Sequence, residues 1–191
     1  MNNNLKIAGR RGRWAAALLY VGFIYLMIPY TRPVTNFLLQ QFRPNYGAFI
    51  NALLVTCLIE VLIISRPILK EKSWEAWAWT AYLVLGTLWL VFIAVIPDDR
   101  LHYIYYGILG VLFFRALELD LSLEGACVAA IALASVAGYF DEFIQKFTPG
   151  RVYDVNDVRD NAVGAVLGGL FYYFVYHDGA KVPADGKRES T

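Results

Sequence analysis

Polar side chains crowd one short stretch of an otherwise oily sequence: Asp141, Glu142, Gln145, Arg151, Asp154, Asp157 and Asn161, with His102 in an earlier acidic turn, Asp98-Asp99-Arg100-Leu101-His102. Carboxylates, an amide, a guanidinium and an imidazole are the groups that bind anions or amides and move protons. If the helix before them continues past Phe140, Glu142 and Gln145 share a face three residues apart, and Asp141 and Gln145 share one four apart. Pro149-Gly150 then reverses the chain, since Pro fixes φ and Gly accepts φ > 0. Arg151 thereby folds back toward Glu142. Its planar fork suits a bidentate grip on a carboxylate, whether from Glu142, from Asp157 or from an incoming ligand. In a binding site, Arg151 would hold a carboxylate or phosphate and Gln145 would read an amide, while His102 or Glu142 would carry any proton. The acids also have a plainer reading: Asp154 caps a short helix with Asp157 near its third position, and Asn161 or Asp160 caps the span that follows. Glu142, Gln145 and Arg151 are harder to account for by capping. An ionisable group costs roughly 2.5–3.5 kcal/mol at mid-membrane and less near the surface, so pairing or function is the usual reason for one.

The elements that must position these groups are membrane helices. Hydrophobic residues make up 58% of the 191 and charged residues 17%, below the roughly 25% of soluble domains. The sequence predicts an all-α polytopic bundle forming a single transmembrane domain, 1–191, with 178–191 as a flexible cytoplasmic tail. Six spans are expected: Trp14 to Tyr30, Ala48 to Ser65, Ala76 to Ile96, Leu101 to Leu117, Leu123 to Phe140 and Asn161 to Tyr176. The first follows Lys6, Arg10, Arg11 and Arg13 without a small-residue cleavage site after its apolar run, and reads as an uncleaved anchor. Residues 31–47 place Val34, Phe37, Leu38 and Phe42 at helical spacing, predicting a short amphipathic helix along the membrane. Trp14, Tyr30, Trp74, Trp77, Tyr103, Tyr105 and Tyr106 fall near span ends, as an interfacial belt requires. Gly164, Gly168 and Gly169 form a small-residue stripe for close packing against the helix carrying Glu142 or His102. Glu60, inside the second span, lies near enough to its end to reach the surface.

Basic residues divide unevenly between the two sides. Lys6, Arg10, Arg11, Arg13, Arg66, Lys70, Lys72, Arg115, Lys181, Lys187 and Arg188 fall on one; Arg32, Arg43, Arg100, Lys146, Arg151 and Arg159 fall on the other. The richer side is cytoplasmic by the positive-inside rule, so both termini are expected inside and the polar stretch outside. A net charge of +1 argues against nucleic-acid binding. Cys57 and Cys127 lie within spans and read as small apolar residues. His102 and His177 are too few and too isolated for a recognisable metal motif, and neither a nucleophile motif nor a phosphate loop is present, so no metal or cofactor is expected.

The spacing Gly138-x-x-Asp141-Glu142-x-x-Gln145-x-Phe147-x-Pro149-Gly150-Arg151-x-x-Asp154-x-x-Asp157-x-x-x-Asn161-x-x-Gly164-Ala165-x-x-Gly168, with Asp98-Asp99-Arg100-Leu101-His102-Tyr103-Ile104-Tyr105-Tyr106 before it, resembles the signature of the VanZ-like membrane proteins. The resemblance covers residues 76 to 177. It departs where the family usually has Lys three residues before the His and Phe after it; here Asp99 and Tyr103 stand, with the base displaced to Arg100. The resemblance implies a multi-pass protein of the bacterial inner membrane, associated through the family's namesake with low-level resistance to teicoplanin. Reaction chemistry does not follow from it. The expectation is a polar pocket at the outer ends of helices four, five and six. It would surround His102, Glu142, Gln145 and Arg151 beside membrane lipid and take an anionic or amide-rich envelope ligand such as a lipid-linked cell-wall precursor or a lipoglycopeptide. The alternative is an assembly subunit with a membrane-protein partner, in which Glu142, Arg151 and Asp157 form an internal ion-pair lock and bind nothing. A transporter would need midplane acids, and Glu60 alone approaches that requirement.

Overall fold

The computed structural model describes residues 3–69, 74–93 and 99–176. Asp98, Lys72 and the tail 178–191 lie outside the described residues. The described chain is helical throughout: α1 (Asn3–Phe42), α2 (Tyr46–Leu69), α3 (Trp74–Ile93), α4 (Arg100–Leu117), α5 (Leu123–Gln145) and α6 (Val155–Phe171), the last passing into a π-helical turn, Tyr172–Tyr176. Gly9–Phe42, Tyr46–Arg66 and Leu123–Gln145 are long and apolar enough to cross a membrane. Over their described residues α4 and α6 fall short of that test. For α4 and α6 the reason is visible in the sequence: each begins with the polar residues that build the site, and they run for only 18 and 17 residues.

α1 differs from expectation. It runs on through Pro29 and Pro33, so the separate amphipathic helix expected over 31–47 is its continuation. A proline removes one N–H and leaves one carbonyl without its helical donor. Bundled membrane helices tolerate this when local hydroxyls and neighbouring chains satisfy the freed groups.

The core gathers around α4. Tyr106, Leu109, Phe113 and Phe114 are buried against Ala126, Ala130, Ala134 and Ala137 of α5, Ala165 of α6, and Ala17 and Ile24 of α1. The alanine ridge lets α5 seat closely, as small residues do between membrane helices. α4 and α6 come closer still: a methyl at Gly164 would stand 2.8 Å from Tyr103 O, and one at Gly168 would overlap the carbonyl of Gly107. Leu19 and Leu26 of α1, Ile63 and Ile64 of α2, and Trp77, Leu85 and Trp89 of α3 face outward, an apolar surface of the kind a membrane span presents. At the end remote from His102, Arg13 donates to Arg115 O at 2.7 Å and pairs with Glu118, while Arg10 Nε lies 3.0 Å from Asp120 Oδ2. An open groove of about 630 Å³ at that end is lined by Arg10, Arg11, Trp14, Ala15 and Leu18.

Candidate functional site

Three helix ends meet at the other end of the bundle. α4 contributes His102 from its first turn and Tyr106 four residues on, one turn along the same face. α5 does continue past Phe140, and its last turns bury Asp141, Glu142 and Gln145. The chain then turns at Gly150, whose φ of 77° is the left-handed conformation that glycine accepts without strain. Asp154 starts α6 by accepting from Asn156 N at 2.8 Å, an N-cap, with Asp157 in the first turn where the helix dipole favours an acid. The expected short helix and sixth span are therefore one helix. Asn161 caps nothing: it sits two turns inside α6, fully buried.

The side chains form a connected network. Asn161 Nδ2 donates to Gly138 O at 3.1 Å, and Asn161 Oδ1 lies 2.8 Å from His102 Nδ1. Gly138 is required there, because a methyl on it would stand 2.6 Å from Asn161 Cβ. His102 Nε2 faces Asp157 Oδ2 at 3.8 Å. Tyr106 donates its hydroxyl to Asp141 Oδ2 at 2.9 Å. Gln145 Nε2 donates to Glu142 Oε1 at 2.7 Å and to Asp141 Oδ1 at 3.2 Å. The backbone N–H of Asp154 reaches Glu142 Oε2 at 3.1 Å.

Arg151 folds back as expected, but not onto a carboxylate. Its Nε donates to Gln145 Oε1 at 2.9 Å and its Nη2 to the same oxygen; among the described residues it makes no ion pair. Gln145 thus stands between base and acids, showing its oxygen to the cation and its NH2 to the anions. Its amide is engaged within the protein rather than held out to read a ligand.

Outside the membrane-spanning segments, burial pushes the Asp99 carboxyl up to about 6, with Asp157 adding to the rise and His102 opposing it. Burial likewise holds Asp157 above the usual carboxylate range, against the pull of His102. Acids crowd this end, and each makes the next harder to ionise.

All eight residues singled out from the sequence come to this one place: His102, Asp141, Glu142, Gln145, Arg151, Asp154, Asp157 and Asn161. Tyr106 is the functional neighbour that sequence reasoning missed. Assigned to the interfacial belt, it is fully buried; its spacing from His102 was the available signal. Arg100 is also buried and donates to Asn51 Oδ1 of α2. Asp160 pairs with its neighbour Arg159 at 2.8 Å. The isolation expected of His102 is overturned by the fold: its ring nitrogen and one oxygen each of Asp141 and Glu142 lie within 4.8 Å of one another, close enough to share a metal ion.

A sequence model of the family described as VanZ/LLP1 matches residues 13–176, well beyond the stretch that carries the motif. No curated protein and no solved structure matches the chain.

Proposed function

This chain belongs to the VanZ/LLP1 family, and from that premise we propose that it serves the bacterial cell-envelope or glycopeptide-antibiotic response, of teicoplanin type, from the outer face of the cytoplasmic membrane. Its polar cluster recognises an anionic envelope ligand, with a lipid-linked cell-wall precursor or a lipoglycopeptide as the fitting class. The observation that carries this reading is Arg151: half-buried at the edge of the cluster, it spends Nε and Nη2 on Gln145 and keeps Nη1 for a further acceptor. Orientation rests on charge. Arg10, Arg13 and Arg115 gather at the opposite end of α4, and an Arg-rich end is retained in the cytoplasm.

Arg151→Lys tests it. Lysine keeps the charge and loses the fork, so the variant should insert and accumulate like wild type while ligand affinity falls by about tenfold or more, the scale of one charged hydrogen bond at about 1.5–3 kcal/mol. The readout is susceptibility to a glycopeptide, compared at equal membrane abundance. Unaltered susceptibility at equal abundance defeats the ligand role.

One observation favours a second reading, that of an assembly or packing subunit: Gln145 is satisfied at both ends by the protein itself, so the network closes without a ligand. On that reading, Arg151→Ala lowers abundance, and a stoichiometric membrane-protein partner survives purification in mild detergent.

A further inference from the structure

We propose that His102 Nε2 and the carboxylates of Asp141 and Glu142 bind a divalent first-row transition ion, of the zinc or manganese type. The inference stands on the geometry of these groups and does not depend on the ligand reading above.

The first support is the imidazole's orientation. Asn161 Nδ2 is committed to Gly138 O, a backbone carbonyl that can only accept, so Asn161 Oδ1 is the atom turned to His102 and Nδ1 must carry the proton between them. In the neutral ring, Nε2 then carries the lone pair, and it lies on the acidic side, 3.8 Å from Asp157 Oδ2. A histidine that donates one ring N–H to an oxygen while the other nitrogen points into a group of carboxylates is the arrangement found around bound metals.

The second support is the missing positive charge. Glu142 is fully buried and Asp141 nearly so, yet their partners are neutral: the Tyr106 hydroxyl, the Gln145 amide and the Asp154 backbone N–H. Among the described residues, neither acid makes an ion pair, and Arg151 reaches them only through Gln145. Buried charges are ordinarily paired or coordinated to a metal.

The third is distance. A ring nitrogen of His102 and one oxygen each of Asp141 and Glu142 lie within 4.8 Å of one another, whereas bonds of about 2.0–2.2 Å to a tetrahedral ion set donors about 3.3–3.6 Å apart. Side-chain rotations of about an ångström close that gap. Each carboxylate oxygen accepts one protein hydrogen bond and has a second acceptor direction for an ion. One imidazole with carboxylates and no thiolate suits zinc or manganese better than magnesium or calcium, which favour oxygen alone. Three protein ligands also leave a coordination position open. If the ligand reading holds, that position resolves its electrostatic difficulty, since a dication turns an acid-rich site toward an anionic oxygen.

The test uses the full chain in detergent micelles, with any purification tag removed, stripped by a chelator and dialysed against Zn²⁺, Mn²⁺ or Mg²⁺ before elemental analysis. The expected result is a single equivalent of zinc or manganese retained per chain, with little magnesium. His102→Gln and Glu142→Gln should lose it, Asp120→Asn at the far end should keep it, and Asn161→Ala should weaken affinity by about 10–100-fold, as loss of an orienting partner does. Because a buried variant can fail to fold, Cu²⁺ bound to a His177→Gln protein gives a readout with His102 as its sole histidine. Nitrogen superhyperfine structure in its electron paramagnetic resonance spectrum supports the site, and its absence overturns it. No retention by wild type, or retention undiminished in both ligand variants (an adventitious ion only), also overturns it. No envelope ligand is present in these measurements, so their failure leaves the ligand reading to its own Arg151→Lys experiment.

Discussion

Gln145 is the residue on which the network turns, because only an amide offers an acceptor to Arg151 and donors to Asp141 and Glu142 at once. Gln145→Glu should therefore be among the most damaging isosteric changes in the chain. It sets a third carboxylate beside two buried ones and removes both donors, at about 1–3 kcal/mol for each acceptor left unsatisfied, offset in part by a direct pair with Arg151. Thermal unfolding in detergent at neutral pH should show a clear fall in Tm, and an unchanged Tm would discredit the bridging role. Spacing along the chain was enough to group these residues, since helical periodicity brings 141, 142 and 145 together and a Pro-Gly turn returns 151 to them. It did not give the partner of Arg151. Opposite charge pointed to a carboxylate, whereas the side chain that intervenes is neutral and serves equally as donor or acceptor, so its orientation is decided only by the surrounding contacts. His102, some forty residues earlier, was placed with the acids by analogy to a motif; its contact to Asn161 depends on how α4 lies against α6.

That packing is an element-level property, and glycine sets it. Gly168→Ala has no flexible neighbour to displace, only the backbone of Gly107, so α4 and α6 must separate at a cost of about 1–3 kcal/mol, the usual range for overpacking. Gly22→Ala in α1 meets nothing within 4 Å and should be neutral or slightly stabilising, by up to about 1 kcal/mol from helix propensity. Comparing the Tm values of the two variants checks the seam: equal effects would mean the helices are not in backbone contact. The stripe was legible in the sequence because small residues recurred at one-turn spacing, and so was the existence of every helix. Boundaries were less so. The first span was expected to stop at Tyr30, beside Pro29, but inside a bundle the loss of one hydrogen bond is smaller than the cost of exposing several more backbone groups to lipid. Asn161 looked like a cap because its side chain suits one; α6 begins earlier because Asp154 suits the role as well and the following residues can all be helical.

For the whole molecule, orientation has a direct check. A cysteine replacing the exposed Lys146 should react with an impermeant thiol reagent in intact cells, and one replacing Lys72 should not; the reverse pattern would put the cluster inside. α1 is the most conspicuous part of this layout: its 40 residues at about 1.5 Å each reach about 60 Å, about twice the hydrocarbon thickness, so it cannot lie wholly within the bilayer core at any ordinary tilt. The glycine contact between α4 and α6 has a further consequence. At Gly164 and Gly168 the α6 backbone meets that of α4 directly, and the His102–Asn161 contact joins the same two helices, while α5 carries Asp141, Glu142 and Gln145. The Asn161–Gly138 and Tyr106–Asp141 hydrogen bonds both join α5 to that pair, so parting α5 from it would break the two together. The proposed ion, bonded to His102 on one side and to Asp141 and Glu142 on the other, would tie α5 to the α4–α6 pair and so oppose that separation.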